Sequence, residues 1–69
     1  MSETLFVIYD GRAEDGSTDD AVVCDTARSL KEARRVGPSY GRVAIYQYDV
    51  VTVGDKRNLI NERFIEAVG

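Results

Sequence analysis

The hydrophobic pattern is most informative in "RVAIYQYDVV", Arg42 to Val51, where apolar residues fall on both parities. Read as a strand, it places Val43, Ile45, Gln47 and Asp49 on one face and Ala44, Tyr46, Tyr48 and Val50 on the other. Neither face is cleanly polar, whereas a sheet covered on one side alone alternates cleanly. "ETLFVIYD" has the same two-faced character, with Phe6 and Ile8 on one side and Leu5, Val7 and Tyr9 on the other. It is rich in strand formers and ends at the turn-prone pair Asp10-Gly11. The polar segment "GRAEDGSTDD" follows, and "AVVCDT" reads as a second strand. Together they predict a hairpin with a long acidic connection, in which Asp15-Gly16 could form a tighter turn if the strands extend inward.

"SLKEARRVGP" predicts a helix. Ser29 and Glu32 have capping-box spacing, which makes Ser29 the expected N-cap, and Asp25 is a rival cap one turn earlier. Gly37 and Pro38 end the helix after about two turns. Ala27, Leu30, Ala33 and Val36 recur on one side, and Arg28, Lys31 and Arg35 lie opposite, an amphipathic surface helix. After the strand at Arg42–Val51, Val53-Gly54-Asp55-Lys56 reads as a tight turn into "RNLINERFIEAV". Here the pattern is ambiguous. Leu59, Ile60, Phe64 and Ile65 suit a strand, while Asn61 before "ERFIEAV" suits a capped terminal helix; the preceding turn favours the strand.

The resulting expectation is an α+β fold of order ββαββ: one domain over residues 1–69, with about four antiparallel strands and one helix packed on one face. A helix of two to three turns is only about 12–17 Å long. It covers one face of the sheet and leaves the other open. Tyr9, Tyr46 and Tyr48 are then expected on the open face, either as half-buried cross-strand packing or as a surface for a partner or a second copy.

Composition sharpens the second option. A 69-residue chain is near the lower limit for folding without a staple. A single cysteine, Cys24, excludes an internal disulfide, and the lack of histidine argues against zinc. Oligomerisation is the remaining common aid. Cys24, beside "AVV", is expected to act as a small buried hydrophobe. No apolar run is long enough to cross a bilayer, and "TLFVIY" lacks a basic segment before it, so a cytoplasmic protein without a signal peptide or membrane contact is expected.

The net charge of −3 conceals a segregation. Residues 10–25 hold six acids (Asp10, Glu14, Asp15, Asp19, Asp20, Asp25) against Arg12, a net of −5. Residues 26–42 hold five bases (Arg28, Lys31, Arg34, Arg35, Arg42) against Glu32, a net of +4. The bases could be a solvated helix face with Glu32 pairing to Arg28 or Arg35, or an anion-binding stripe of Arg28, Lys31 and Arg35. Nucleic acid is the disfavoured partner, because affinity scales with the phosphates neutralised and the pI is about 4.7. The acidic loop (Glu14, Asp15, Asp19, Asp20) could be a mobile solvated connection or a lure for a basic protein surface; its spacing departs from a calcium loop.

No nucleophile elbow, histidine or phosphate-cradling loop is present, and the paired carboxylates fall in the acidic segment, so catalysis and a cofactor are not expected. The segments "YDGRA", "DDA" and "SLKEAR", spread over about two-thirds of the chain, resemble small accessory proteins encoded by phages and other mobile elements. That resemblance implies an inhibitor that binds a host protein by occlusion or nucleic-acid mimicry, as anti-CRISPR proteins do. It carries no residue roles. The expectation is therefore a non-enzymatic protein-binding protein acting through Tyr9, Tyr46, Tyr48 and the acidic loop. The alternatives are a nucleic-acid-binding module using the basic helix face, and a purely structural homodimeric subunit.

Overall fold

The computed structural model describes residues 3–69. Four strands, β1 (Glu3–Asp10), β2 (Val23–Ala27), β3 (Val43–Val53) and β4 (Lys56–Val68), form one antiparallel sheet in the order β2-β1-β3-β4. A single α-helix, α1 (Leu30–Val36), lies between β2 and β3 in sequence. The α+β, ββαββ reading holds, and the C-terminal segment is a strand. No helix among the described residues is long and apolar enough to cross a membrane.

α1 begins where the capping box places it. Ser29 has extended backbone angles, and its hydroxyl accepts the Glu32 N–H at 3.1 Å. Asp25 does not cap; it sits in β2, where it accepts from the Tyr40 hydroxyl at 3.0 Å. The chain leaves α1 through a 3₁₀ turn, Gly37–Tyr40, that admits Pro38 at its start. Ala27, Leu30, Ala33 and Val36 pack on Phe6, Ile8, Val43 and Ile45, joined by half-buried Cys24, Ile65 and Val68. This is the helix-side core, built from the residues that period-2 and period-3.6 patterns place there.

The opposite face departs from expectation. It is not open. Val7, Ala44, Tyr46 and Tyr48 form a second core with Ala13, flanked by Leu5, Tyr9 and Ala21. The cover is the β1–β2 connection. Its first part, Gly11–Asp15, is a 3₁₀ turn that folds back over the sheet. Asp10 caps that turn, accepting from the Arg12 backbone N–H at 3.3 Å and from its Nε at 3.0 Å. Gly11 lies so close to β3 that an added Cβ would come within 3.2 Å of the Arg42 carbonyl oxygen. Ala13 is thereby driven into the rings and is fully buried.

β3 and β4 are joined by the two-residue turn Gly54-Asp55, with Gly54 at φ +64°. Among the described residues β1 reaches only as far as Glu3 opposite Val50, so the end of the β3–β4 hairpin continues alone as a two-stranded ribbon. The β3–β4 register slips twice, between Ile45 and Tyr46 and between Gln47 and Asp49. The second slip lies opposite Asn61, which has φ +56°. Each slip changes which side of β4 faces a given layer.

Candidate functional site

β3 and β1 set the tyrosine layer by register. Val7 faces Tyr46, Leu5 faces Tyr48 and Tyr9 faces Ala44 across the antiparallel pair. Tyr9 meets Tyr46 edge-on at 5.4 Å between ring centroids, and Tyr46 meets Phe64 of β4 edge-on at 5.5 Å. The Tyr46 hydroxyl donates to the Ala13 carbonyl at 2.6 Å. The Tyr48 hydroxyl donates to Glu62 Oε1 at 2.6 Å, so its single proton is used and Tyr9 must donate to it at 2.7 Å. Thr18 donates to the same Glu62 oxygen at 3.1 Å. Burial holds the Tyr46 and Tyr48 hydroxyls above the usual phenol range, with the Glu62 carboxylate adding to the shift at Tyr48.

These bonds overturn one expected site. Tyr46 is 2% exposed and Tyr48 6%, so neither ring offers a surface to a partner, to a second copy or to a stacked base. The reason is physical: the connection supplies a methyl group, Ala13, and a carbonyl at the places where an open face would have met solvent. Tyr9 remains half-buried at the margin.

The acidic residues of the same connection are placed outside this layer. Glu14 pairs with Arg42, which holds its carboxyl below the usual range through their hydrogen bond. Asp15 accepts the Ser17 N–H at 2.9 Å, closing a local turn. Asp15, Asp19 and Asp20 are exposed and make no ion pair among the described residues. The loop is fastened at three points: Ala13 to Tyr46, Glu14 to Arg42, and Thr18 to Glu62. It is a lid carrying fixed charge rather than a solvated tether.

The basic residues occupy the other side. Arg28, Lys31 and Arg35 are exposed around α1, and none is in an ion pair among the described residues. Glu32 pairs with neither Arg28 nor Arg35; the helix-face ion pair is Arg34 with Glu66 of β4 at 2.6 Å. The segregation counted along the chain thus becomes in large part a segregation across the sheet, with Asp15, Asp19 and Asp20 on the lid and Arg28, Lys31 and Arg35 around the helix; Asp25, bonded to Tyr40, and Arg42, paired with Glu14, depart from it.

Sequence reasoning missed Glu62, Ala13 and the exposure of the apolar side chains on the outer strand. Glu62 is aimed at the tyrosines by the slip at Asn61, and asparagine is among the residues that tolerate a left-handed backbone, so a bulge was the signal to read there. Exposed apolar side chains gather on β4 and the ribbon: Val51, Val53, Leu59, Ile60 and Phe64. Compared with known proteins, the chain matches no family model, no curated protein and no solved structure.

Proposed function

We propose that this chain is a small non-enzymatic binding protein that occupies a basic surface of another protein with its lid face. The observation carrying this reading is that Asp15, Asp19 and Asp20 are exposed, without an ion pair among the described residues, and held on a lid bonded to the sheet, on the face opposite Arg28, Lys31 and Arg35. Fixed like charges on one face steer encounter with a basic partner and disfavour acidic ones. Holding them in place also lowers the ordering cost of binding. In the accessory-protein setting that the resemblance implies, the partner is a host protein, blocked or modulated by occlusion.

The test uses the immobilised protein and the triple variant Asp15→Asn, Asp19→Asn, Asp20→Asn. Proteins captured from host lysate at low salt are identified, and association rates are followed with rising salt. The triple variant should retain its circular dichroism and lose both capture and the salt-dependent part of the on-rate. Equal capture by the variant removes the lid face from the reading. The nucleic-acid alternative is checked in the same series by a shift assay with single- and double-stranded oligonucleotides; binding lost on substituting Arg28, Lys31 and Arg35 would replace the proposal.

A further inference from the structure

Two Asp-Gly steps bound the 3₁₀ turn of the lid, Asp10-Gly11 where β1 ends and Asp15-Gly16 where the turn ends. An aspartate before glycine is open to ring closure, because no Cβ on the following residue hinders the approach of its backbone nitrogen. The fold closes this route at Asp10. Its carboxylate is held by Arg12 through the backbone N–H, Nε and Nη2, and its own N–H donates to the Val22 carbonyl at 2.9 Å. Gly11 is packed against Arg42, where an added Cβ would come within 3.2 Å of the carbonyl oxygen.

Asp15-Gly16 is held far less. Both residues are exposed, Gly16 has φ +91°, and nothing lies within 4 Å of where its Cβ would stand. Asp15 makes no ion pair among the described residues. Its carboxylate accepts from the Ser17 N–H at 2.9 Å, and the Gly16 N–H donates to the Ala13 carbonyl at 3.2 Å. Turning the Asp15-Gly16 peptide toward the side chain breaks these two bonds and displaces no packed group. Such an opening belongs to the low-energy end of local unfolding.

We infer that Asp15 is a modification site, converting spontaneously to isoaspartate in the folded protein while Asp10 is protected. The Gly16 nitrogen attacks Asp15 Cγ: the N–Cγ bond forms, the Cγ–O bond breaks, and the amide proton leaves with the carboxyl hydroxyl as water. Water then opens the cyclic imide. Breaking the bond from nitrogen to the α-carbonyl carbon leaves the main chain running through Cβ and Cγ, with a free α-carboxylate. The charge is kept, but the backbone gains one atom between Ala13 and Gly16. That disrupts the turn closed on the Ala13 carbonyl, which is also the acceptor for Tyr46. The functional consequence rests on the binding reading above: a displaced carboxylate on a loosened lid lowers partner capture as the protein ages.

The full chain is aged for weeks at physiological temperature and pH, then digested with trypsin, which cuts after Arg12 and Arg28 and so separates the two steps. Isoaspartate, located by electron-transfer fragmentation, should build up at Asp15 about tenfold faster than at Asp10, or more. In denaturing urea the two rates should converge to within a few-fold. Asp15→Glu keeps the charge, closes a ring poorly, and should leave the peptide from Ala13 to Arg28 unmodified at that position. Equal rates in the folded protein, a ratio that urea leaves unchanged, or modification at Asp19 or Asp20 in place of Asp15 overturns the inference. If isoaspartate forms and aged protein captures its partner as fresh protein does, the site stands and the binding reading loses Asp15. If Asp15 stays intact while the Asp15/Asp19/Asp20 triple variant loses capture, the site falls and the binding reading stands.

Discussion

Tyr46 is where the chain's two covers meet: its ring is clasped between Tyr9 and Phe64, and its hydroxyl satisfies the buried Ala13 carbonyl. Tyr46→Phe keeps the ring and removes one of the two hydrogen bonds to that carbonyl, the Gly16 N–H at 3.2 Å remaining, which should cost about 0.5–1.5 kcal/mol in urea denaturation. Tyr46→Ser deletes the ring and should cost about 3–5 kcal/mol, the range for removing a core aromatic. A folded, stable serine variant would contradict the burial described. Tyr48 adds a pH dependence. Its hydroxyl titrates above the phenol value of 10.0 in the folded protein, so the folded state holds the proton more tightly than the unfolded chain. The stabilisation is fully present below pH 10 and is lost as pH rises above it. Alkaline unfolding should begin there, and Tyr48→Phe should flatten the alkaline decline while lowering stability at neutral pH.

At the scale of elements, the helix and the faces of β1 and β3 were legible because they obey local periods. The Ser29 cap, the Ala27-Leu30-Ala33-Val36 stripe and the alternation through Tyr46 all lie where the pattern puts them. Ser29→Ala should lower stability by about 1 kcal/mol, read as a shift in the thermal midpoint. One element was not legible and another only ambiguously so. The lid is polar by composition, and its covering role depends on one buried methyl at Ala13 and on bonds to residues distant in sequence, Tyr46, Arg42 and Glu62. β4 reads ambiguously because its register slips twice, so Leu59 and Ile60, then Phe64 and Ile65, break the period of two that marks a strand.

For the whole molecule, chain order explains why segment charge was informative. Glu14, Asp15, Asp19 and Asp20 lie in the connection that covers one face and Arg28, Lys31, Arg34 and Arg35 in the connection that covers the other, so a count along the sequence maps most of the charge across the sheet. The missing piece was that both connections are covers. The expected open face with its tyrosines gives way to a layer enclosed on both sides, and the exposed apolar surface moves to β4, where the burial pattern alone reveals it.

Asn61 has a consequence at this scale. A β-branched residue cannot adopt φ +56° without strain, so Asn61→Val should cost about 1–2 kcal/mol, whereas Asn61→Gly should be tolerated. The kink also interrupts the one long border this fold leaves uncovered. A chain whose asparagine had become valine, and which had straightened to accommodate it, would offer a longer regular edge to any foreign strand, the feature that favours aggregation.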